Sequence, residues 1–89
     1  MDRKELAKEI ADFCIKYRLL GKPKNIILAK DRIEKELENI CFVESLIHMI
    51  ILKTQYIKDV DTKRLKNLLM ELEMVRLDLE YDNVNIEVL

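Results

Sequence analysis

The chain holds one glycine (Gly21), one proline (Pro23) and no tryptophan among its 89 residues. A sequence so short of turn formers cannot supply the repeated reversals of most all-β folds, nor does it resemble low-complexity disorder. With one glycine there is no G-x-x-x-x-G-K-[ST] or G-x-G-x-x-G loop to cradle a phosphate. Histidine is as scarce. His48 stands alone, and the two cysteines, Cys14 and Cys41, lie far apart. Those residues make no tetrahedral metal set, and the Glu-x-x-His partner that Glu34 and Glu38 would need in a di-metal bundle is missing. No metal, cofactor or small-molecule substrate is expected. An excess of one charge is missing too: 16 Lys plus Arg face 17 Asp plus Glu, so no global field draws nucleic acid or a membrane.

Long apolar runs are also lacking. The longest, Leu46 to Leu52, is interrupted by His48, whereas a bilayer span takes roughly 20 apolar residues. The opening Met1-Asp2-Arg3-Lys4-Glu5 has no apolar h-region, so no signal peptide is expected. Two widely spaced cysteines in Lys/Glu-rich helical surroundings read as reduced core residues of a cytoplasmic protein. Eleven Ile and eleven Lys beside three Ala point to an AT-rich bacterial or phage genome.

What remains is 49% hydrophobic and 37% charged, enough for the core and wet surface of one helical domain over 1–89. The expected fold is all-α: an antiparallel bundle of three to four helices, at about 3–20, 25–38, 41–57 and 62–81. In the first, Asp2 and Glu5 have capping-box spacing. Leu6, Ile10, Phe13, Cys14, Tyr17 and Leu20 share one face, with Ala7 at its edge, and Gly21 then stands where a helix-ending glycine belongs. The second starts at Asn25 with a narrow stripe of Ile26, Ala29, Ile33, Leu37 and Ile40.

Helical periodicity then runs on through Cys41 and Phe42 to about Ile57 without a glycine or proline. One helix over 25–57 would be about 48 Å long, too long for a compact chain of this size. A break near Glu38–Asn39 is the preferred reading. The segment from Phe42 to Ile57 is apolar almost all round, which predicts the central, most buried element.

Asp61 or Thr62 should cap the last helix, which carries two apolar stripes. Leu65, Leu68, Leu69, Leu72, Val75 and Leu79 form the wide one. Met70, Met74, Leu77 and Tyr81 form the other at 4-3-4 spacing on the far side, with Glu73 and Glu80 on one flank and Glu71 and Asp78 on the other. After it, 83–89 alternates polar residues with Val84, Ile86 and Val88, the pattern of a loose tail or short strand.

No constellation of side chains promises catalysis. Glu44, one turn before His48, could orient it, but Ser45 and Cys41 sit in regular helix with no loop to form an oxyanion hole. The chain is therefore read as a non-enzyme. Lys16, Arg18, Lys22, Lys24, Lys30 and Arg32 gather around the first turn against Asp31 alone, a possible contact for nucleic acid or an acidic partner. As a helix-turn-helix the segment is poor. Tyr17 replaces a small residue, Lys22 replaces an apolar one, and the second helix is acidic after its first turn.

Two opposed stripes on one helix carry the positive case: one closes the core, and Met70, Met74, Leu77 and Tyr81 need another cover. The expected function is non-catalytic protein–protein association, as a homodimer or with another helical protein, in a regulator or adaptor. A nucleic-acid-binding regulator using Lys16–Arg32 is the alternative. An immunity- or antitoxin-type bundle is a third, suggested by size and architecture alone.

Overall fold

The computed structural model describes residues 1–20 and 26–88, and the side chains of 1–20 and 29–81. Four helices follow in order: α1 (Arg3–Lys16), α2 (Ile26–Glu36), α3 (Ile40–Thr54) and α4 (Thr62–Val88). No strand occurs among the described residues, and the fold is an all-α bundle. The expected start of the second helix at Asn25, and the glycine turn at Gly21, lie outside the described residues.

Side-chain caps fix three helix starts. Asp2 Oδ1 accepts from the Glu5 amide at 2.8 Å, and Asp61 Oδ1 accepts from the Arg64 amide at 3.1 Å. Asn39 Oδ1 accepts from the Cys41 and Phe42 amides at 3.0 and 3.4 Å. That last cap is what divides 25–57: α2 stops at Glu36, Asn39 takes an extended backbone, and α3 begins anew. The break near Glu38–Asn39 is therefore the one observed.

The end of α1 departs from expectation. The helix stops at Lys16, one turn before Leu20, and Arg18 takes the left-handed conformation, with φ 58°. The Leu19 amide donates to the Cys14 carbonyl at 2.8 Å and the Arg18 amide to Ile15 at 3.2 Å, the paired bonds of a Schellman motif. The early stop follows from burial. The reversal drives Leu19 into the core beside Cys14 and leaves Leu20, expected inside, exposed. From α3, Lys53 Nζ donates to the Leu19 carbonyl at 2.7 Å, and the Asp61 amide donates to Tyr17 Oη at 2.9 Å. The turn is thus tied to both ends of the α3–α4 connection.

The centre of the bundle is α1, which corrects the expectation for Phe42–Ile57. Leu6, Ala7, Ile10, Ala11, Phe13 and Cys14 are all buried, and the small Ala7 and Ala11 let neighbours approach closely. α1 packs against α2 on one side and α4 on the other, while α3 packs mainly on α4. α3 buries Val43, Leu46, Ile50 and Thr54, with the Thr54 hydroxyl donating to the Ile50 carbonyl at 2.6 Å. Its other apolar residues stay partly or largely outside, Ile51 43% and Leu52 56% exposed. α3 also ends at Thr54, a turn short of Ile57.

α4 is corrected in the other direction. It continues through Val88, so 83–88 is helix and no strand forms there. No glycine or proline interrupts the segment, and extending an existing helix costs far less than nucleating a new element. At 27 residues α4 is about 40 Å long, against 15 residues in α3, which it outruns. The molecule is accordingly elongated, 46 × 25 × 20 Å.

Replacing Arg18 with glycine should remove the cost of holding a Cβ at positive φ and raise stability by about 1 kcal/mol, read as a higher melting temperature. An unchanged or lower melt would mean that Arg18 makes compensating contacts. Asn39→Ala should cost about 1 kcal/mol by removing the α3 cap, with an Asn39→Asp variant retaining most of the stability in urea titrations.

Candidate functional site

The inner stripe of α4 does what its spacing predicts. Leu68, Leu72 and Val75 are buried, with Leu65, Leu69 and Leu79 partly packed against the same core. The second stripe points the opposite way, since residues two and five positions from Leu72 lie about 200° and 140° around the helix. Met70 is 62% exposed, Met74 56%, Leu77 51% and Tyr81 66%. The four share one outward face, each more than half exposed.

Charge borders this face. Arg76 pairs with Glu73 through a short bond from its Nη2 and two from Nε at 3.1 Å, and reaches Glu80 at 2.8 Å. The guanidinium holds Glu73 below the usual carboxylate range, mainly by hydrogen bonding, and Glu73 in turn raises Arg76. Glu73 therefore stays ionised near neutral pH. On the other flank, Glu71 lies 3.8 Å from the Met1 ammonium, and Asp78 is exposed. The Arg76 network is legible in the sequence as i,i+3 and i,i+4 spacing, yet a search for isolated motifs passes over it.

Of the basic set, Lys16, Arg18, Lys30 and Arg32 have described side chains. Lys16 and Arg18 are exposed at the end of α1, with the Lys16 ammonium 5.5 Å from the Tyr17 ring centre. On α2, Lys30 is half-buried and Arg32 exposed; two residues apart on a helix, they point in nearly opposite directions. Lys22 and Lys24 lie outside the described residues.

An open cleft of about 350 Å³ lies between the starts of α1 and α4, lined by Met1, Glu9, Asp61, Lys63, Arg64, Asn67 and Leu68. Arg64 fills its role there internally, 3.5 Å from Glu9 and 5.8 Å from the Phe13 ring centre. His48, Glu44 and Ser45 are exposed on the regular helix α3. Among the described residues no group of three or more His, Cys, Asp or Glu is placed to hold a metal ion. No described helix is long and apolar enough to cross a membrane.

Known protein families, curated proteins and solved structures offer no match to this chain. The surface itself has to carry the functional argument.

Both cysteines are free, but only Cys14 lies in the core; Cys41, expected there too, is exposed in the first turn of α3. The buried stripe of α3 runs through Val43, Leu46 and Ile50, which turns Cys41 outward. Burial pushes the Cys14 thiol up to about 11, against an opposing pull from Lys53. Because the folded value lies above the ordinary 9.0, the thiol's stabilising contribution is whole below pH 9 and is lost as pH climbs through about 11. A thiol-reactive dye at pH 8 should therefore label Cys41 at once and Cys14 only on unfolding. Equal rates for the two thiols would place Cys14 outside the core. Alkaline melts of Cys14→Ala should decline less steeply between pH 9 and 11 than those of the parent chain.

Proposed function

We propose that this protein acts by helix-mediated association, as a non-catalytic regulator or adaptor whose contact surface is the outward face of α4. The observation that carries the reading is the exposure of Met70, Met74, Leu77 and Tyr81 together on one face of a folded chain. Chains that act alone in water seldom keep such a contiguous strip, and methionines suit a surface that adapts to a partner helix. A second copy of the chain and a helix of another protein are the two kinds of occupant, and either makes α4 the working element. Two free thiols are in keeping with a reducing, cytoplasmic setting. The nucleic-acid alternative has less support, because the half-buried Lys30 and the outward Arg32 cannot track one phosphate strand together.

Met74→Glu tests the surface. Its side chain projects away from the core, so the variant should melt within about 0.5 kcal/mol of the parent, whereas Leu72→Glu should fail to fold. Any association of the parent chain, measured by light scattering or co-purification, should be lost in Met74→Glu. Association that survives the substitution unchanged would remove α4 from the mechanism.

A further inference from the structure

The rim of the α4 stripe says what kind of helix belongs on it. With Met70 and Leu77 at heptad position d and Met74 and Tyr81 at a, Glu71 and Asp78 fall at e and Glu73 and Glu80 at g. These are the positions from which charges meet a docked helix, and all four are acids. Arg76, the one cation between Met70 and Tyr81, takes position c, on the core side of Glu73 and Glu80. Lys63, Arg64 and Lys66 precede the stripe.

A second copy matches this rim poorly. Laid antiparallel with the stripes aligned, two chains would set the Glu73 of one against the Glu80 of the other, and Glu71 against Asp78, each twice. Laid parallel, Glu73 would meet Asp78, relieved where Lys66 of one chain meets Glu71 of the other. Like charges facing each other at e and g oppose pairing, and opposite charges choose the partner.

We propose that the occupant of this face is an amphipathic helix of a different protein, with Lys or Arg on both flanks of its own apolar stripe. The proposal rests on the association reading above and adds the partner's chemistry. The apolar anchors from Met70 to Tyr81 span about 17 Å, three turns of such a helix. α4 itself continues to Val88.

The test uses the full chain and two synthetic helices of about 20 residues, both with leucine at a and d, one with lysine and one with glutamate at e and g. A scrambled helix with the lysine composition controls for bulk charge. Titration by fluorescence anisotropy at low salt should favour the lysine-flanked helix by about tenfold or more over both others, a margin that narrows with added salt. Met74→Glu should abolish the binding, and joint Glu71→Lys, Glu73→Lys, Asp78→Lys and Glu80→Lys changes should reverse the preference. Circular dichroism of each variant checks that the helices persist.

Equal binding of lysine- and glutamate-flanked helices, or of the scrambled control, overturns the proposal and leaves α4 as a docking surface. A parent chain with twice the 10.6 kDa mass in solution that Met74→Glu halves also overturns it, since the occupant is then a second copy. A monomer that binds none of the helices overturns this proposal and the association reading together.

Discussion

α4 turns one side to α1 and α3, yet it has apolar side chains on two opposite sides. Leu68, Leu72 and Val75 settle the matter of orientation, because burying three branched side chains against α1 and α3 outweighs what the more flexible Met70 and Met74 could gain there. Once that side is inside, geometry puts Met70, Met74, Leu77 and Tyr81 in water.

The rest of the bundle is organised around the C-terminal end of α1. A reversal at Arg18 buries Leu19, and its carbonyl accepts a hydrogen bond from Lys53 at the C-terminal end of α3. Tyr17 accepts the Asp61 amide just before α4 begins, so one turn positions both helices of the α3–α4 pair. The same arrangement explains why α1, and not the more hydrophobic α3, is central. α1 meets neighbours on two sides through a broad buried arc that includes two alanines, whereas α3 meets its main neighbour through one stripe. Mean apolarity thus misleads about position. Contact with two neighbours depends on the width of the buried arc and on small residues within it.

The acidic rim and the apolar stripe are linked through Arg76. By pairing with Glu73 and Glu80, and by holding Glu73 in ionised form, it keeps charge beside the stripe while occupying the side nearest the bundle. An apolar seam bordered by fixed acids offers both adhesion and a means of rejecting unsuitable helices, including acidic ones.

Much of the architecture was legible in local chemistry. Asp2 and Asp61 as caps, the all-helical class and the two faces of α4 follow from residue type and a 3.6-residue period, and so does the outward position of Met74 once Leu72 is taken as core. These properties depend on neighbours within one turn, which the amino-acid order states directly. Other properties depended on residues distant in sequence. The stop at Lys16 in place of Leu20 needed the core site that receives Leu19 and the lysine 34 positions away that satisfies its carbonyl. The exposure of Cys41 and Ile51 needed the choice of which arc of an apolar helix would face α4, and their own identities carry no record of it. Periodicity specifies a helix and its possible faces. Only packing, where one arc excludes another from the core, decides which face is left to water.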